Sequence, residues 1–246
     1  MLGIGGYISS TYEHLYSVIG DGSTDGIGGI GDVLDFGTAD YSVSLWFKSD
    51  NYGAAVQYLF AKRQDANNRF ELATRNSDDK ILVVTRIGGA NSGQVIGAGS
   101  ATALEGTWVN VIVSCDRDTN LKLYVNGSTD TYGGTHTIDS SSANFNNSGT
   151  LNFACQNNAA AGSLNGNITD IAVWNVALDA DAVTAVYNSG KPFDLRFDRG
   201  NYDNSSALQG YWRCNDGSGS TVKDEVGSND GTLAGDSAFS TNTPDD

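Results

Sequence analysis

Residues 164–190 read LNGNITDIAVWNVALDADAVTAVYNSG, and their pattern decides the fold. The alternation predicts one strand: Ile168, Asp170, Ala172 and Trp174 on one face, and Thr169, Ile171 and Val173 on the other. A turn follows, with Asp179 as N-cap. Leu178, Ala182, Val183, Val186 and Tyr187 then make an apolar stripe at helical spacing, and Gly190 is the expected C′ residue. The unit is a strand, a turn and one short helix at about 180–189.

The same alternation recurs upstream. Strands are expected at 41–48, 57–63, 69–75, 80–87, 107–115, 121–126, 150–155 and 164–174. In YSVSLWFK, Val43, Leu45 and Phe47 face one way, and Ser42, Ser44 and Trp46 the other. Turns rich in Gly, Asn and Asp separate the runs, at 88–93, 116–120 and 126–127. Residues 140–149 read as a loop and 236–246 as a frayed or extended tail. With 31 Gly, only 2 Pro and a single helix, the chain reads as all-β: an antiparallel β-sandwich of jelly-roll type.

Composition narrows the function. A net charge of −15 argues against nucleic acid, whose phosphates need Lys and Arg. No apolar run is long enough for membrane insertion. Cys115, Cys155 and Cys214 sit in apolar strand patterns and read as buried free thiols. The first residues lack a basic stretch followed by an apolar one, so no signal peptide is expected.

Four motifs, in order, resemble the laminin-G-like, concanavalin A-like lectin/glucanase family. They are 20–27 (GDGSTDGI), 41–48, 107–127 (TWVNVIVSCDRDTNLKLYVNG) and 166–178 (GNITDIAVWNVAL). The resemblance implies one sandwich over residues 1–235. It also exposes a departure: 208–235, LQGYWRCNDGSGSTVKDEVGSNDGTLAG, is similar to the segment that usually opens such a domain, yet comes last. Three arrangements are open for it. It fills the gap in its own domain, pairs with a neighbouring subunit in a homo-oligomer, or is the vestige of a second domain. The first is favoured, because the termini of compact domains often lie close together.

The resemblance implies a calcium ion at the sandwich rim. By position its ligands would be Asp25 and Asp170, assisted by Asp21, with Asp224 from the displaced segment. Asp170 is the chemically odd residue, a carboxylate in an otherwise apolar strand. Catalysis finds less support. A glucanase-like hydrolase needs two carboxylates across the scissile bond, and the four Glu (13, 71, 105, 225) are isolated in sequence. His14 and His136 have no metal-ligand or triad partner at fixed spacing and read as surface or hydrogen-bonding residues. A glycan platform would draw on Tyr7, Tyr12, Tyr52, Tyr58, Tyr132 and Tyr202, beside the Asn- and Gly-rich loop 157–162.

Such domains look like those of tailed-bacteriophage structural proteins. The resemblance therefore implies a non-enzymatic structural or adhesion module located in the virion, made in the host cytoplasm. It would be a capsid decoration or fibre component that partners other capsid or tail proteins and binds host-surface glycan. The alternatives are a carbohydrate-active enzyme and a free-standing soluble lectin.

Overall fold

The computed structural model describes residues 12–53, 55–88, 90–97, 104–130, 144, 146–157 and 161–244. The strands are β1 (Ser17–Asp21), β2 (Gly26–Gly28), β3 (Tyr41–Ser49), β4 (Gln57–Arg63), β5 (Arg69–Arg75), β6 (Lys80–Ile87) and β7 (Ala90–Ile96), then β8 (Val109–Asp116), β9 (Asn120–Val125), β10 (Ser128–Thr129), β11 (Thr150–Phe153) and β12 (Asn165–Trp174). Helix α1 (Ala180–Tyr187) precedes β13 (Leu208–Trp212), β14 (Thr221–Val222), β15 (Gly231–Ala234) and β16 (Ala238–Ser240). They form two antiparallel sheets. Sheet one runs β10-β9-β8-β3-β12-β1-β16, with β13 also on β12; sheet two runs β14-β15-β2-β11-β4-β5-β6-β7.

The alternation read in the sequence builds the core between them. Val43, Leu45 and Phe47 of β3 and Val109, Val111 and Val113 of β8 meet Leu59, Phe60, Leu72 and Phe153 of sheet two. A second core lies on the far side of sheet one. There Ala172, Trp174, Ile112 and Tyr124 are covered by Ala182, Val183 and Val186 of α1 and by Phe193, Leu195 and Tyr202. Sheet one is thus buried on both faces, while no such apolar layer lies on the outer face of sheet two among the described residues. Cys115, Cys155 and Cys214 are buried free thiols.

Several expectations are corrected. Ile168 joins Ile171 and Val173 in the inter-sheet core rather than sharing a face with Ala172 and Trp174. The cause is a bulge: Thr169 pairs with Trp46 and Ala172 with Ser44, so Asp170 and Ile171 oppose Leu45 alone. Asp170 takes φ 46°, and the side-chain phase flips across it. Asp179 caps α1 by accepting from the Ala182 N–H at 2.8 Å, as expected. The helix ends earlier than expected, however. Asn188 (φ 47°) takes the left-handed position foreseen for Gly190, a conformation Asn tolerates better than most residues. The 88–93 stretch, expected as a turn, enters β7 at residue 90.

The displaced segment pairs within its own chain. β13 adds to β12 in sheet one, and β15 adds to β2 in sheet two. Trp212 fills the inter-sheet core, 4.8 Å from the Phe153 ring centre and edge-on to it. The stretch from 236, expected as a tail, carries β16, which pairs with β1 through Ser17↔Ser240. The unpaired edge of β1 is what recruits it.

Candidate functional site

Two carboxylate clusters stand out, one within sheet one and one on sheet two. The first surrounds Asp170, which is 2% exposed. β1 pairs with the first half of β12 and β13 with the second half, so Thr169 and Asp170, where the bulge begins, face the gap between them. Residues from both chain ends fill it. The Tyr12 hydroxyl donates to both Asp170 oxygens, at 3.0 and 3.1 Å, and the Tyr211 hydroxyl donates to Oδ1 at 2.5 Å. His14 Nε2 lies 3.1 Å from Oδ2 and 2.8 Å from Thr169 Oγ1. The Thr169 hydroxyl gives its proton to the Arg213 carbonyl at 2.9 Å, so the His14 proton sits on Nε2. The Arg213 guanidinium rests 4.4 Å from the Tyr12 ring centre. Burial, followed by the charge on Asp170, pushes the Tyr12 and Tyr211 phenols well above their usual range, so both remain donors.

The four expected calcium ligands do not share a centre. Asp21 pairs with Asn165, five residues along β12 from Asp170, or about 17 Å at the usual strand rise. Asp25 is buried and accepts from the Asp21 and Asp236 N–H groups at 2.6 and 2.7 Å, tying its loop to the C-terminal stretch. Asp224 accepts from the N–H groups of Tyr211, Val226 and Asn229. Among the described residues no three His, Cys, Asp or Glu side chains gather to hold a metal ion. The donor set does not fit one shared calcium.

The second cluster was not singled out from the sequence. On β5, Arg69, Glu71, Ala73 and Arg75 face outward, because Phe70 and Leu72 pack inward. Register sets Ala61 between Asn152 and Glu71, so a small side chain separates two polar ones. Glu71 is only 5% exposed. Its Oε1 accepts from Arg63 Nη1 at 2.8 Å and from Gln156 Nε2 at 2.6 Å, and its Oε2 lies 3.3 Å from Arg69 Nη1. No second carboxylate is among these partners.

Tyr58 borders the cluster. A bulge between Tyr58 and Phe60 sends Leu59 and Phe60 into the core and leaves Tyr58 opposite Ala73 on the outer side. Its N–H donates to the Gly162 carbonyl at 2.8 Å. A Cβ on Gly162 would strike the Tyr58 ring, and its φ of 59° favours glycine as well. Burial and the Glu71 charge raise the Tyr58 phenol, which places the ring in the cluster's field.

Of the other expected platform tyrosines, Tyr52 and Tyr202 are core residues and Tyr12 belongs to the Asp170 cluster. Tyr7, Tyr132 and His136 lie outside the described residues. The signal that would have found the second cluster was present in RFELATR, whose alternation sets Arg69, Glu71 and Arg75 on one face.

A family model described as the concanavalin A-like lectin/glucanases superfamily matches residues 21–184. Comparison with curated proteins gave no match. Similar solved structures include a Bacteroides ovatus ATCC 8483 protein proposed to bind carbohydrate (TM-score 0.62, 14% identity, 91% of this chain and 59% of that one). The heptameric SAP-like pentraxin of Limulus polyphemus is also similar (0.55, 16%, 90% and 95%). So is the CBM40 of Ruminococcus gnavus IT-sialidase (0.51, 16%, 71% and 99%). The chain thus spans 59% of the Bacteroides protein's length. At these identities the likeness is one of fold.

Proposed function

The chain belongs to the concanavalin A-like lectin/glucanases superfamily, and we propose that within it this protein is a non-enzymatic glycan-binding module. The observation that carries this reading is the outer face of sheet two. There Arg63, Arg69, Glu71 and Gln156 form a fixed array of donors and acceptors beside the Tyr58 ring. Sugars offer hydroxyls that both donate and accept, above an apolar ring face. A planar guanidinium, an amide, a carboxylate and an aromatic ring answer each of those features. The opposite outer face, on sheet one, is filled by α1 and its neighbours. Names given to two of the similar structures, a carbohydrate binding protein and a CBM40, agree with this reading.

A hydrolytic role would need a second carboxylate about 5–9.5 Å from the first. Glu71 is instead engaged by two arginines and an amide, which suits an anchor. The finer reading, a phage capsid decoration or fibre component, rests on resemblance alone, and copurification with a particle tests it.

The module itself is tested by a glycan panel. The wild-type chain is expected to bind at least one sugar class without releasing reducing ends, and Glu71→Ala is expected to abolish binding. No binding to any glycan, or undiminished binding by a folded Glu71→Ala variant, would overturn the reading.

A further inference from the structure

We infer that the sheet-two site takes an anionic sugar, one bearing a carboxylate or a sulfate, and that the row Arg63–Arg69–Arg86 receives the anion. This rests on the glycan-binding reading above and names the ligand class for the same site.

The first argument is charge placement. The chain carries 14 Lys and Arg against 29 Asp and Glu. Yet Arg63, Arg69, Arg75, Lys80 and Arg86 all lie on the outward positions of three adjacent strands, with Glu71 the one acid of those strands. Arg75 is paired with Asp78, and against a background of −15 the rest of that face is a basic island.

The second argument is register. Arg63 lies directly opposite Arg69, and Arg69 directly opposite Arg86. Like charges directly across a sheet are destabilising, so packing alone does not call for the row. Glu71 pairs with both Arg63 and Arg69, one negative charge shared between two positive ones.

The third argument is donor capacity. A guanidinium carries five N–H donors in a planar fork that fits a carboxylate or sulfate. Arg63 gives Glu71 one hydrogen bond, through Nη1. Arg69 reaches Glu71 as an ion pair at 3.3 Å, and its buried Nε has no hydrogen-bond partner. The Arg63 and Arg69 side chains are each 20% exposed, so they are held from beneath while reachable from above. Glu71 thereby orients the forks, and the surplus donors await an acceptor.

Calorimetric titration with lactose, sialyllactose and 3′-sulfolactose tests this. Sialyllactose, sulfolactose or both are expected to bind about tenfold or more tightly than lactose, the value of one charge-assisted hydrogen bond. Raising the salt should erode that preference. Which of the two binds tells carboxylate from sulfate. Arg69→Gln, and independently Arg86→Gln at the end of the row, should bring the acidic sugar to the level of lactose, with circular dichroism unchanged. Lactose or another neutral sugar binding as tightly as the acidic ones would overturn the inference and leave the glycan reading standing. So would full acidic-sugar binding by either folded variant. No binding by any sugar would remove both.

Discussion

Asp170 and Glu71 are each a nearly buried carboxylate ringed by donors, 2% and 5% exposed, and they do opposite jobs. The donors of Asp170 are two tyrosine hydroxyls and an imidazole, brought from residues 12, 14 and 211. They join the two ends of the chain at a bulge in the central strand, and both carboxylate oxygens are spoken for. The donors of Glu71 come from its own strand, the adjacent β4 and one loop, two of them are cations, and they carry more N–H groups than one carboxylate can use. The difference teaches how to read a buried acid. Where the protein saturates it, the acid is a clamp; where it is surrounded by surplus donors, it anchors a surface that recognises something else.

The largest expected effect would break the clamp. Asp170→Ala leaves buried hydroxyls and an imidazole without their acceptor, and should cost about 3–5 kcal/mol, the usual loss for breaking a buried charged network. For a chain this size that lowers Tm by roughly 10 °C, readable by calorimetry. A loss below about 1 kcal/mol would show that the cluster contributes little.

Next is pH. The Tyr12 and Tyr211 phenols are raised by burial first and by Asp170 second. Above about pH 10 the unfolded chain releases phenolic protons that the folded chain keeps. The contribution of the clamp is therefore whole below that pH and declines as pH rises beyond it. Tyr211→Phe should flatten this alkaline decline, and thermal melts from pH 8 to 11 check it.

The smallest effect concerns metal. Asp21, Asp25, Asp170 and Asp224 are each engaged by protein donors, and only Asp21 and Asp25 share a loop, so EDTA and added calcium are both expected to leave Tm unmoved. A calcium-dependent rise would show that a site draws on these acids in a way their hydrogen bonds do not suggest.

The sequence made the long strands legible because their alternation is clean: β3 and β8 follow it nearly residue for residue, and β12 does so on either side of its bulge. The two- and three-residue strands β2, β10, β14 and β16 carry no period to detect, and their existence depends on neighbours already in place. Asp170 was legible as odd, but its partners were not, since Tyr12 lies 158 residues away and no local rule links the two. The bulge that turns Asp170 toward them also lay beyond a period-two reading. Tyr58 was legible as an aromatic, and 157–162 as a stretch of small and polar residues. The arginine row was not, because Arg63, Arg69 and Arg86 become neighbours only once the register of three strands is fixed.

The most direct measurement crosses the two clusters: Tm and sugar affinity, both determined for Tyr211→Phe and for Arg69→Gln. Tyr211→Phe is expected to lower Tm by a few degrees, about 1–2 kcal/mol for a lost hydrogen bond to a charged acceptor, and to leave sugar affinity unchanged. Arg69→Gln is expected to move stability by no more than about 0.5 kcal/mol and to cut affinity for the acidic sugar about tenfold. Affinity that falls with Tyr211→Phe, or survives Arg69→Gln, would contradict the division between clamp and recognition surface.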